Sequence, residues 1–211
     1  MAVITIARQF GAGGKKLGTL VAEKLGFTLI DEEIVEMVAM KANVSVDTVD
    51  AIAQETGNEG YLTRIMTKLG PFRKGYVQVS MEEKPGYIDG NLYLSLLHKV
   101  IPQIAEQDNV VILGRGGQYI LAEHANTYHY LMIADMEQRI HFMMENYQLD
   151  RKQAQLVVEK QRKRRLNLYR YFGRTDYDQP GLYDMVFNMN RVKLEEAVQI
   201  VCQMVSGRAT S

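Results

Sequence analysis

The sequence predicts an α/β fold in three layers, a parallel sheet covered by helices on both faces, with a helical insertion and an arginine-rich segment attached. Short β-branched apolar runs alternate with stretches of helical spacing along most of the 211 residues. The first run ends in a glycine-rich turn that opens a helix, and the later run "NVVILG" ends in a second such turn. Runs that are apolar toward both sides are the pattern of parallel strands buried on both faces, and their alternation with helices is the pattern of a doubly covered sheet.

Taken in order, "AVITIA" at 2–7 reads as the first strand and the glycine-rich turn as the start of a helix that stops at Gly26. "FTLI" is a second short strand leading to Asp31, which is expected to cap the helix "EEIVEMVAMKA". From about 43 to 89 no strand of the core type appears: Ser45 and Asp47 start a helix, Gly57 and Gly60 break it, "YLTRIMTKL" forms another, and Pro85-Gly86 mark the return to the core. In the helix "NLYLSLLHKVIPQIAEQ", Pro102 is expected to kink the helix or split it. "NVVILG", the turn at Gly114 to Gly117 and the strand "TYHYLMIA" resume the core. Helices over Met136 to Tyr147 and Asp150 to Phe172, the short strand "YDMVFN" and the helix "KLEEAVQIVCQMV" complete it. The expected organisation is one domain over 1–211, with a core at about 1–42 and 90–211, a helical insertion at about 43–89 and an arginine-rich segment at about 151–180.

Composition narrows the classes of function. The chain is 46% hydrophobic and 24% charged, the balance of a globular protein with a sizeable core. With 25 basic and 25 acidic residues no global field favours nucleic acid or an anionic membrane. Cys202 is the single cysteine, so no internal disulfide forms, and "MAVITIARQFG" lacks the segments of a signal peptide. A reducing cytoplasm is the expected setting. No apolar run approaches the roughly 20 residues of a membrane-spanning helix. His98, His124, His129 and His141 are scattered without metal-ligand spacing, so no metal site of protein ligands is expected.

Chemistry concentrates at three places. In "ITIARQFGAGGKKLG" a glycine-rich turn joins a strand to a helix, where free backbone N–H groups and the helix dipole suit a phosphate. The G-x-x-x-x-G-K-[ST] pattern matches in part: with Gly11 and Gly13 in the inner glycine positions, Gly14 takes the lysine slot and Lys15 the hydroxyl slot. A turn whose glycines serve tight packing alone is the other reading. Arg115 follows "VVILG" at the carboxyl end of a strand, where ligands of open α/β sheets bind and an arginine can clamp a phosphate. Residues 151–174 carry Arg151, Lys152, Lys160, Arg162, Lys163, Arg164, Arg165, Arg170 and Arg174 against Glu159. Acidic partners at i±4 are missing there, so the segment is either a solvated face or the site of a polyanionic ligand.

The three places, in this order, resemble those of the nucleoside monophosphate kinases, and the residues are most similar to the cytidylate kinase-like family. "ARQFGAGGKKLG" resembles the family's R-[EQ]-[FY]-G-[SA]-G-G-[RK] loop, "FTLIDEEIVEMVA" its second strand with an aspartate, and "VVILGRGGQYILAEHANTYHYLMIADMEQRI" its G-R-D-x-G-T run. "YRYFGRTDYDQPGLYDMVFNMNRVKLEEAVQIV" resembles its ending. The resemblance implies a P-loop NTPase-like fold and an ATP- and Mg2+-dependent phosphotransferase acting on a nucleoside monophosphate or other small acceptor. It implies that Arg8, Gly11, Ala12, Gly13, Gly14, Lys15 and Lys16 line the nucleotide phosphates, that Asp31, Arg115, Arg139 and Arg170 serve the substrate, that Lys15, Arg162 and Arg165 carry catalysis, and that the arginine-rich segment at about 151–180 is a mobile lid. Gly116 stands where the family has the aspartate of G-R-D, and Glu32 and Glu33 where it has threonine and glycine, so cytosine specificity does not carry over. Glu32 and Glu33 are expected to point outward in the first turn of their helix. Tyr169, Tyr171 and Phe172 either stack on a base or pack a hinge at the end of the lid. Two other classes stay open: a nucleotide-binding regulator without efficient transfer, and, against the balanced charge, a nucleic-acid binder using the basic helix. A homodimer is compatible with apolar residues in the insertion.

Overall fold

The computed structural model describes residues 2–49 and 89–208. Strand β1 (Val3–Arg8) leads into helix α1 (Gly14–Leu25), and β2 (Thr28–Ile30) into α2 (Glu33–Ala42). Helix α3 (Gly90–Ala105), β3 (Val110–Leu113), the short α4 (Gly117–Ile120) and β4 (Thr127–Ile133) follow. Helices α5 (Met136–Tyr147) and α6 (Arg151–Tyr171) form a hairpin, and a 3-10 turn (Pro180–Leu182), β5 (Met185–Asn188) and α7 (Leu194–Arg208) end the fold. Of the insertion expected at 43–89, a helical stretch at 46–49 is described, with Ser45 Oγ accepting from the Thr48 N–H at 3.1 Å; Gly57, Gly60, "YLTRIMTKL" and Pro85-Gly86 lie outside the described residues. None of the described helices is long and apolar enough to cross a membrane.

The five strands are ordered β2-β3-β1-β4-β5 and every pair is parallel. The pleat divides the core in two. Ile4, Ile6, Val111 and Leu113 pack against Leu17 and Val21 of α1 and Val198 and Val201 of α7 on one face. Val3, Val110 and Ile112 pack against α2 and α3 on the other. The β1 connection runs toward β2, whereas the β3 connection crosses to β4 on the far side of β1. Connections that part in this way open a crevice at the carboxyl ends of the strands, and the Gly-rich loop and Arg115 both lie there. A third, smaller cluster of Ile140, Met143, Leu149, Ala154, Val157 and Val158 holds the α5–α6 hairpin and takes in Phe10 from the Gly-rich loop.

Local chemistry sets most of the boundaries. Gly26 adopts φ 69° and its N–H returns to the Ala22 carbonyl, ending α1. Asp135 caps α5, and Asp150 caps α6 in a capping box with Gln153. Two expectations are corrected. Asp31 does not cap α2: Glu32 occupies the cap position without a side-chain bond, because the Asp31 carboxylate is drawn to Arg8 and Lys15 instead. Helix α3 is not split at Pro102, which falls in its last turn; the helix continues to Ala105 and the Glu106 N–H still reaches the Pro102 carbonyl.

Candidate functional site: a glycine-rich loop between two groups of cations

The loop from Gln9 to Gly13 carries the chain from β1 into α1. Gly11 has φ +88°, and a Cβ there would fall 2.8 Å from both the Cβ and the carbonyl oxygen of Arg139. Only glycine combines that dihedral with so close an approach of a neighbouring backbone. Gly13, in the left-handed region, caps α1 without a side chain, so the first N–H groups of the helix, which have no intrahelical partners, open toward the loop. The Arg8 stem crosses Gly14, where a Cβ would meet its Cγ at 2.8 Å. Ala12 is buried beneath the loop.

On one side of the loop the cations meet the end of β2. Arg8 Nη2 lies 3.3 Å from Asp31 Oδ1, and Lys15 Nζ lies 3.5 Å from both Asp31 Oδ2 and Glu32 Oε1. Glu32 therefore turns toward the loop instead of outward, while Glu33 accepts from the Asp31 N–H at 2.8 Å. Burial raises the Glu32 pKa above the ordinary carboxylate value, Lys15 opposes the rise, and Asp31 adds to it. Lys16 points the other way, bonding Asn146 and lying 5.6 Å from the centre of the Phe142 ring on α5.

On the other side stand the arginines of the hairpin. Arg139 is 7% exposed, and its Nε donates to the Asp135 carbonyl at 3.3 Å. Burial first, and then the charges of Arg162 and Arg165, lower its pKa from the usual guanidinium value. Arg165 grips Asp178 with both terminal nitrogens, Nη1 reaching Oδ2 at 3.2 Å, and lies 5.0 and 5.2 Å from the ring centres of Tyr169 and Tyr177. Burial disfavours its charge, but Tyr169 and Asp178 outweigh burial and raise its pKa. Arg162 is exposed, and so is Arg170, which donates to Asn167 on its own helix at 3.4 Å.

Arg115 stands in a run of three left-handed residues, with φ of 70°, 55° and 74° at Gly114, Arg115 and Gly116. For the arginine this conformation costs about 1–2 kcal/mol, and strain of this kind gathers at functional sites. Its Nη1 donates to the hydroxyl of Tyr93 at 3.0 Å. The aromatic stretch at the end of α6 is packed against the core: Tyr169 stacks on Tyr177 with centroids 4.9 Å apart, Tyr171 lies against Gly90, and Phe172 lies against Gly116 and His98. Among the described residues no cluster of His, Cys, Asp or Glu gathers as a metal site of protein ligands would. His124 and His129 bond Thr127 and Thr5, at 2.9 and 2.6 Å, and burial lowers the His129 pKa.

Sequence reasoning missed Gln9, Asp178 and Tyr93. Gln9 Oε1 accepts from the Ala134 N–H and its Nε2 donates to Asp178 Oδ2, each at 3.2 Å, tying the loop to β4 and to the stretch after α6. The absence of acidic partners within 151–174 was the one available signal for Asp178, since a buried arginine needs a carboxylate from somewhere.

Comparison with known proteins gives the same outline. The model of the cytidylate kinase-like family matches residues 3–191. An uncharacterized protein from Eubacterium ventriosum ATCC 27560 superposes with a TM-score of 0.67 at 17% identity over 98% of this chain and 99% of that one. Shikimate kinase from Bacteroides thetaiotaomicron superposes with a TM-score of 0.50 at 12% identity over 97% and 98% of the two chains. No curated protein matches the sequence.

Proposed function

The chain belongs to the cytidylate kinase-like family, and from that premise we propose that it is a phosphotransferase moving the γ-phosphoryl group of ATP to a nucleoside monophosphate or another small acceptor. The observation that carries this reading is the seating of α5 on the loop: the Arg139 backbone lies against Gly11, and Arg165 of the hairpin is joined through Asp178 to Gln9 at the loop's entrance. A glycine-rich turn at a helix N-terminus beside a group of arginines suits phosphoryl transfer, since the reaction needs positioning and charge neutralisation and little covalent chemistry. Gly11, Ala12, Gly13 and Gly14 would hold the phosphate chain, Lys15 and Arg8 would face it from the β2 side, and Arg139 and Arg162 from the hairpin. Arg115, with Tyr93 behind it, would hold the acceptor.

Magnesium supplies neutralisation of phosphate oxygens when it arrives with the nucleotide. The residues present suit that role: Asp31 and Glu32 are hard oxygen donors beside Lys15, and Mg2+ in such sites is held by one or two carboxylates together with the phosphates.

A thermal-shift series with ATP, ADP and the nucleoside monophosphates, each with and without Mg2+, followed by ADP-release assays on every acceptor that stabilises the protein, tests the reading. The expected result is stabilisation by ATP with Mg2+ and ADP release with at least one acceptor; no stabilisation by any adenine nucleotide would refute it. A second reading, a nucleotide-binding regulator, is favoured by the internal pairing of Lys15 and Arg165 with carboxylates. Stabilisation without turnover on any acceptor selects it.

A further inference from the structure

Two donors from different elements meet on one carboxylate. Gln9 Nε2, at the entrance of the Gly-rich loop, donates to Asp178 Oδ2 at 3.2 Å, and Arg165 of α6 holds the same carboxylate through both terminal nitrogens. An arginine fork fits the paired oxygens of a carboxylate and of a phosphate alike. Asp178 thus stands where a donor at the loop's entrance and an arginine of the hairpin converge, next to the loop to which the phosphotransferase reading gives the phosphates.

The pairing is incomplete. The Arg165 side chain is 16% exposed, yet its Nε is buried without a hydrogen-bond partner among the described residues. A salt bridge built solely as scaffold is expected to satisfy all its buried donors. The carboxylate also lies in the irregular stretch between α6 and the turn at Pro180–Leu182, which is held by the Tyr119 hydroxyl on Asp176 at 3.1 Å, by the Gln179 N–H on the Asp176 carbonyl at 2.8 Å, and at Tyr177 by the Tyr183 hydroxyl and the Tyr169 ring. A stretch without ladder or helix bonds of its own can leave its seat without unfolding an element.

We propose that Asp178 is an internal anion that occupies the junction of Arg165 and the Gly-rich loop, and that the phosphate chain of an incoming nucleotide displaces it and takes over Arg165. The inference rests on the reading of the loop as a phosphate site and adds its regulation. A ligand that must first displace an internal competitor binds more weakly by the fraction of molecules in which the junction is open. The device therefore keeps buried Arg165 neutralised while no nucleotide is present and makes its release conditional on phosphate.

Calorimetric titration of inorganic tripolyphosphate and of ATP into the wild type and Asp178→Asn tests the displacement. The variant is expected to bind both about tenfold more tightly if the junction is open in about a tenth of wild-type molecules. In the wild type, amide hydrogen exchange over 174–179 is expected to quicken when tripolyphosphate saturates the protein. Equal or weaker binding by folded Asp178→Asn overturns the proposal, and so does unchanged or slower exchange in the wild type; if the variant does not fold, the exchange result decides alone. Tripolyphosphate binding with quickened exchange but no ADP release on any acceptor leaves the displacement standing and removes transfer. Turnover with unchanged exchange does the reverse.

Discussion

The two sides of the Gly-rich loop hold their cations by the same kind of pairing and at very different strength. Lys15 is 45% exposed and stands 3.5 Å from each of its carboxylates. Arg165 is 16% exposed, held end-on by Asp178 through both terminal nitrogens and backed by two aromatic rings. Exposed pairs at long range contribute about 0–1 kcal/mol, whereas breaking a buried pair by removing one partner costs about 3–5 kcal/mol when both groups are fully desolvated. The β2 side can thus yield its lysine to a ligand at almost no cost to the fold, while the hairpin side yields its arginine only when another anion replaces Asp178. Charge sits on both sides; the hairpin side is the more strongly coupled to stability.

The substitution expected to act most strongly removes the contact that joins the sides. Gly11→Ala puts a Cβ 2.8 Å from the Arg139 backbone, at a φ of +88° that alanine adopts poorly. Backbone cannot move aside as a flexible side chain would, so strain and clash together are expected to cost about 2–4 kcal/mol. Chemical denaturation reads the loss, and the thermal shift by ATP with Mg2+ should vanish with it. A fully stable, nucleotide-responsive Gly11→Ala protein would mean that α5 does not seat on the loop.

Next comes Arg165→Met, which keeps the packing of the stem over Tyr169 and Tyr177 but leaves Asp178 without its main partner. Because Asp178 is 32% exposed, water recovers part of the loss, and about 2 kcal/mol is expected. Arg165→Lys should not rescue it, since an ammonium cannot reproduce the two-pronged fork of the terminal nitrogens. Full rescue by lysine would show that charge alone, without geometry, holds the hairpin side.

The same contrast explains which parts the residues announced. Helix α5 follows Asp135 and α6 follows Asp150, caps whose bonds are made within three residues of the cap, so their starts could be read locally. The buried strands were readable because apolar residues on both faces suit no other element of that length. Asp31 has the same residue type as those caps and a different fate, because Arg8 and Lys15, 23 and 16 positions away in sequence, reach its carboxylate across the crevice. The acid that balances Arg165 comes from position 178, thirteen residues on and outside the helix, where no helical spacing points to it. Pro102 leaves α3 whole because the helix has a single turn left to run beyond the proline, so there is no second segment for a kink to redirect. Local bonds were legible, and pairings made by the fold were not.

Lys15→Met measures the weaker side. Folding stability at neutral pH is expected to fall by less than about 1 kcal/mol, the range of exposed pairs. The effect has a pH signature. The Glu32 pKa is already raised by burial, with Lys15 opposing the rise, so in the variant it should rise further. A carboxyl group whose folded pKa exceeds its unfolded value binds more protons folded than unfolded, and stability is then lost as pH rises through the folded pKa. The deficit of Lys15→Met relative to wild type should therefore be smallest near pH 3, where Glu32 is protonated in both proteins, and grow through the carboxylate range toward neutrality. Denaturation curves across that range check the stability, and NMR titration of the Glu32 carboxyl checks its cause. A deficit that is large and independent of pH would place Lys15 in the packing of the loop, and the two sides of the site would no longer differ in kind.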